Sequence, residues 1–152
     1  MKTAWQWLGI LIYWIGWPLF WLHLHGSERS RVLLICGEKM LVVKAWVGDG
    51  KWSLPGGGIH SGEKPEKGAL RELLEETGIK LPKSQLKSLA TEDTPKDGLS
   101  FNRHYFLVLA GELTTPKPQL WEITDARWVS ISKISSNNSN ADVMRVLELW
   151  KG

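Results

Sequence analysis

The chain is predicted to fold as an α+β domain preceded by a helix apolar enough to cross a bilayer. Three observations carry this reading. Runs rich in β-branched and aromatic residues alternate with turn signals, two segments show helical periodicity, and the stretch from Thr3 to Leu24 has no Lys, Arg, Asp or Glu. At 152 residues, 43% of them hydrophobic, there is room for one compact core and an appendage, and too little for two domains.

The appendage comes first. As a helix, residues 3–24 would extend about 33 Å against a hydrocarbon core of roughly 30 Å. Five of the ten tryptophans fall in it, with Trp5 and Trp7 near one end, Trp21 near the other and Trp14 and Trp17 between. Interfacial belts explain the outer ones, and Pro18 is tolerable as a kink. A cleaved signal would need a small-x-small site that Leu22-His23-Leu24-His25-Gly26 does not offer, and an in-plane helix would need a polar face. A core or dimer helix stays open as an alternative. The division expected is therefore residues 1–26 as a membrane-anchor helix and 27–152 as the folded domain, a single-pass arrangement. Arg29, Arg31 and Lys39 after the span outnumber Lys2 before it, which favours a cytoplasmic domain.

The body reads as strands over 31–36 and 40–46, joined as a hairpin by Gly37-Glu38-Lys39, then 86–91, 101–110 and a short strand at 126–129. Residues 141–150 form a closing helix with Val143, Val146, Leu147 and Trp150 on one face. Loops at 114–118 and 135–140 are turn-rich, and there is no internal repeat. Cys36 has no cysteine to pair with and reads as a core thiol. The net charge of +3 comes with no basic stripe, so no nucleic-acid partner is expected.

The helix at 65–77 is the informative element. Pro65 sits where its missing N–H costs nothing, and Gly78 follows as a left-handed cap. At about 100° per residue, Glu72, Glu75 and Glu76 share an arc of roughly 100°, while Leu70 and Leu74 point the other way, toward the expected core. Like charges at these spacings cost a few tenths of a kcal/mol per pair, which a hard divalent cation would offset. Oxygen-only ligation suits Mg²⁺ or Mn²⁺ and not zinc. Upstream, Trp52-Ser53-Leu54-Pro55-Gly56-Gly57-Gly58 allows backbone to approach a ligand closely.

The segment GGIHSGEKPEKGALRELLEETGI, from Gly57 to Ile79, resembles the Nudix box. That motif is Gly, five residues, Glu, seven residues, Arg-Glu, an aliphatic residue, any residue, Glu-Glu, any residue, Gly and an aliphatic residue. Gly57, Glu63, Arg71, Glu72, Leu73, Glu75, Glu76, Gly78 and Ile79 fill every fixed position. An ordinary solvated helix face would not also place Gly57 and Glu63 in frame. The resemblance implies a Nudix-like α/β/α sandwich with a mixed sheet over about residues 31–150. It implies metal ligation by Glu72 and Glu76, with Glu75 and the Gly57 carbonyl, and Glu63 acting through water or by a salt bridge to Arg71, an orienting partner.

The implied reaction is attack of water on a diphosphate phosphorus, in a nucleoside diphosphate derivative of nucleotide or nucleotide-sugar type. Its general base is either a box glutamate such as Glu72 or Glu75, or Glu122 before the last strand, with Glu92 and Asp93 as weaker candidates. The family's coenzyme-A and NADH signatures are missing, as is the tyrosine of the dinucleoside-polyphosphate enzymes. Pro95 resembles the proline marker of ADP-ribose enzymes, although a turn at 94–98 explains a proline equally well. His104 reads as a structural hydrogen-bonder, and His60 fills a variable position. Two function classes remain: a Mg²⁺-dependent pyrophosphohydrolase tethered to a membrane, and an idle domain that binds a nucleotide. The intact acids favour the enzyme.

Overall fold

Strand β1 (Glu28–Cys36) carries Val32, Leu33, Leu34 and Ile35 in succession, all buried, the signature of a strand covered on both faces. A computed structural model describes residues 28–96, 99–118 and 122–152. The expected apolar helix, residues 3–24, lies outside the described residues; within them no helix is long and apolar enough to cross a membrane.

A turn at Gly37, whose φ of 57° glycine adopts without a Cβ clash, leads into β2 (Lys39–Ala45). Strands β3 (Lys87–Lys96), β4 (Leu99–Leu109) and β5 (Ile123–Ser130) complete a five-stranded sheet in the order β3-β4-β1-β2-β5. β1 and β4 run parallel and the other neighbours antiparallel, so the sheet is mixed. Alternation along β1 sends Val32 and Leu34 to one face, with Leu41, Phe106 and Val108. Helix α1 (Pro65–Thr77) covers that face with Ala69 and Leu73. Leu33 and Ile35 face the other way and pack with Tyr105 and Leu54 under Val143, Val146 and Leu147 of helix α2 (Ala141–Lys151). The result is the helix-sheet-helix layering expected.

Three local expectations need correction. Leu74 is 43% exposed, and α1 packs instead through Gly68, Ala69, Leu73 and Thr77. Small Ala69 and polar Thr77 share the seam with Leu73, so counting large apolar residues alone misplaces the face by roughly 90° on a helical wheel. Cys36, at the hairpin end of β1, is only half-buried. Strand β1 begins three residues before position 31, because Glu28, Arg29 and Ser30 pair with Asn102, Arg103 and His104 despite their polarity.

β1 and β2 pair directly at the hairpin end, Ile35 with Met40 and Cys36 with Lys39, and then diverge. The backbone of residues 53–59 fills the gap. Val43 and Ser53 exchange N–H to carbonyl bonds of 3.0 and 2.9 Å, Val32 N–H donates to Pro55 at 2.9 Å, and Ser30 N–H donates to Gly57 at 3.0 Å. Ile59 N–H returns to the Glu28 carbonyl at 3.0 Å.

Candidate active site

The wedged loop brings Gly56 and Gly57 against α1. Gly56 has φ 136° and lies so close to β1 that a Cβ there would overlap the Ser30 carbonyl oxygen. At Gly57 a Cβ would stand 2.6 Å from the Glu72 carboxylate, so that carboxylate occupies the space glycine leaves. Glu76 Oε2 accepts the Gly56 N–H at 2.7 Å. Glu72 and Glu76, one turn apart, thus converge on the same two glycines. The Gly57 carbonyl, which like any carbonyl can accept twice, receives the Ser30 N–H at 3.0 Å.

Arg71 organises the opposite side of the acid cluster. Its Nε and Nη2 donate to the two Glu63 oxygens at 3.1 and 3.0 Å, a paired fork geometry that an arginine alone provides. Its Nη1 reaches Glu72 Oε1 at 2.7 Å and Glu75 Oε2 at 3.2 Å, and Nη2 also donates to the Gly58 carbonyl at 2.8 Å. The Arg71 hydrogen bonds, helped by the His60 N–H, hold the Glu63 carboxyl down at about 2. Reciprocally, Glu63 raises the guanidinium pKa.

Glu76 behaves oppositely. Its position on α1 is beside the Ala69–Leu73–Thr77 seam, and burial pushes its carboxyl up to about 7, against the opposing charge of Arg31 and the Gly56 N–H. Glu72 and Glu122 push in the same direction as burial. Glu122, far from the box in sequence and exposed, therefore lies within electrostatic reach of Glu76. Its carbonyl accepts the Trp46 N–H at 2.7 Å, which fixes the residue just ahead of β5.

Among the described residues no three acidic, histidine or cysteine side chains gather round one metal-sized point. Glu75, 48% exposed along its side chain, pairs with Arg71 at 3.2 Å. The structure brings the Glu72 carboxylate against Gly57 and the Glu76 carboxylate against Gly56, and the Gly57 carbonyl lies on the same loop. These donors are all oxygens, and few enough that a Mg²⁺-like ion would keep several waters, so the residues fit a hard divalent cation.

On the α2 face, next to this site, a cavity of about 500 Å³ is lined by Glu92, Asp93, Arg103, Tyr105, Asp142 and Arg145. Glu92, a weaker base candidate, is held by Arg145 at 2.6–3.2 Å. His104 Nδ1 meets Thr91 Oγ1 at 3.1 Å, and Nε2 stands 3.9 Å from Glu28. Sequence reasoning passed over Arg31 and Asp142, whose ion pair of 3.2 Å joins β1 to α2 beside the cavity. The period-2 alternation of Arg31 with Leu33 and Ile35 was the available signal, since it puts the guanidinium on the α2 face.

Known proteins are similar to this chain in sequence and in fold. Nudix hydrolase 6 of Arabidopsis thaliana is 38% identical over 109 residues, covering 70% of this chain and 37% of that protein. A stretch of 28 residues, 18% of this chain and 17% of the relative, is 68% identical to the RNA pyrophosphohydrolase of Cereibacter sphaeroides. The chain spans about two-fifths of the length of the plant relative and of a mycobacterial one. The NUDIX domain of Shewanella oneidensis NrtR, solved with ADP ribose, superposes with a TM-score of 0.73 at 20% identity over 83% of this chain and 86% of that one, a likeness of fold. The family model for the NUDIX domain matches residues 26–148, and the chain belongs to that family.

Proposed function

We propose that the domain is a Mg²⁺- or Mn²⁺-dependent pyrophosphohydrolase cleaving a diphosphate bond in a nucleoside diphosphate derivative. The observation that carries this is the convergence of the Glu72 and Glu76 carboxylates on Gly56 and Gly57, with Glu72 filling the space a Cβ would take. Glu72, Glu76 and the Gly57 carbonyl would hold the cation. When bound, it neutralises diphosphate oxygens and lowers the pKa of an attacking water. Arg71, clamped by Glu63, keeps Glu72 oriented and sets Glu75 at the rim, from which Glu75 reaches the site through water. Glu122 supplies the general base from outside the helix, its charge already felt at Glu76. The neighbouring cavity takes the organic remainder of the substrate, and its acids and arginines suit a polar group such as a base or ribose.

ADP ribose, the ligand of the Shewanella domain, is a sensible first substrate to try. A panel of ADP ribose, nucleotide sugars and nucleoside triphosphates, with monophosphate or phosphate release read with and without Mg²⁺, tests the activity. Mg²⁺-dependent release from any member supports hydrolysis. Tight binding of a panel member with no release at any metal concentration would return the domain to a nucleotide-binding role.

We further propose that residues 1–26 anchor the domain, residues 27–152, to a membrane. The support is the charge-free length of residues 3–24 and their flanking tryptophans. The basic residues that follow, Arg29, Arg31 and Lys39, support a cytoplasmic side for the catalytic domain.

A further inference from the structure

Arg31 sits between the two halves of the site. Its side chain is 15% exposed and that of its partner Asp142 is 10% exposed, so the pair is largely removed from water. Guanidinium Nη1 donates to the Gly56 carbonyl, while Nε faces Asp142 Oδ2 at 3.2 Å. Gly56 is thereby gripped from two sides, at its N–H by Glu76 and at its carbonyl by Arg31. The Val32 and Ser30 amides hold the carbonyls on either side, those of Pro55 and Gly57, and the two grips fix the Gly56 peptide between them, at a φ of 136° that glycine alone adopts freely. Asp142, at the start of α2, also lines the cavity.

We propose that Arg31 is a positioning residue which fixes the Gly56–Gly57 loop for metal capture and, through Asp142, ties that loop to the cavity holding the rest of the substrate. This rests on the pyrophosphohydrolase reading for the role of the metal. The physical case is that a buried guanidinium must keep its acceptors: losing either Asp142 or the Gly56 carbonyl would leave a desolvated charge partly unpaired. Any substrate group that competes for Asp142 therefore acts on the loop as well.

The test is Mn²⁺ binding to the full-length protein in mild detergent, followed by the electron paramagnetic resonance signal of free Mn²⁺, for wild type, Arg31→Met, Arg31→Lys and Asp142→Asn. Arg31→Met keeps most of the buried stem and should weaken Mn²⁺ by about 10- to 100-fold, the range seen when groups that orient metal ligands are lost. Arg31→Lys restores the charge without the two-ended reach, and should fall between. Asp142→Asn should weaken Mn²⁺ by a smaller factor and raise KM more than it lowers kcat, a split that a merely structural aspartate would not produce. Wild-type Mn²⁺ affinity in Arg31→Met overturns the proposal. If Arg31→Met does not fold, Asp142→Asn decides, and unchanged Mn²⁺ affinity together with unchanged KM overturns it. Wild-type protein that binds Mn²⁺ and hydrolyses nothing would refute the enzymatic reading alone, since the binding differences among the variants would still be measured.

Discussion

Replacing Glu76 by Gln should separate the metal role of this residue from its cost to the fold. Burial raises its carboxyl from the ordinary 4.5 to about 7, so in the metal-free protein the ionised form is disfavoured. The sign follows from linkage. A carboxyl whose folded pKa lies above its unfolded one gives stability that is complete below about 4.5 and lost as pH rises through about 7. The difference between 7 and 4.5, at about 1.4 kcal/mol per pH unit, is worth about 3 kcal/mol as an upper figure. Glutamine is isosteric, keeps an oxygen for the Gly56 N–H and carries no charge. In EDTA at about pH 8, Glu76→Gln should therefore melt above wild type, by up to roughly 6–12 °C on the usual scale for a protein of this size. At about pH 5 the two should converge. Glu63 does not confuse the result, because its stabilising contribution is lost only as pH falls toward about 2. Turnover with saturating Mg²⁺ should meanwhile drop by about a hundredfold, one ligand charge having gone. Equal melting temperatures at both pH values would refute the burial argument, and near-wild-type turnover would refute the ligand assignment.

Three other outcomes are expected. Glu122→Gln should depress kcat and flatten the acid limb of the pH–rate profile with little change in Mn²⁺ affinity; an unchanged profile would return the base to the box helix. Gly57→Ala puts a Cβ 2.6 Å from the Glu72 carboxylate, so calorimetric Mn²⁺ affinity should fall by about tenfold or more, and wild-type affinity would mean that Glu72 has room to retreat. A truncated protein beginning at Ser27 should stay in the supernatant, show a cooperative melt and retain activity, while the full-length chain sediments with membranes and resists carbonate. Aggregation of the truncated form beside detergent-free solubility of the full chain would assign the first segment to the core or a dimer interface.

The parts of this molecule legible in its sequence are those governed by local chemistry. Pro65 and Gly78 bracket α1 as their backbone preferences require, with Gly78 at φ 70° and its N–H on the Leu74 carbonyl at 2.8 Å. The apolar run of β1 announces a central strand for the same reason. The orientation of α1 was harder to read, because its seam is made of Ala69, Leu73 and Thr77 while the larger Leu74 is left outside. That rotation is what takes Glu76 to the edge of the core and raises its carboxyl, an effect no spacing rule contains. The Arg31–Asp142 pair was illegible for a different reason. It joins residues 111 positions apart, and only the packing of α2 over β1 brings them to 3.2 Å.

The wedging of residues 53–59 between β1 and β2 bears on how the molecule moves. Loops that carry catalytic groups commonly open by themselves, well below the free energy of global unfolding. Here the amide protons of Ser30, Val32, Val43 and Ser53 are all committed to bonds between that loop and the two strands. They should exchange with solvent deuterium only when the centre of the sheet comes apart, on the timescale of the slowest core amides. The backbone of the glycine loop then has no private opening mode, and it forms a floor as rigid as the core.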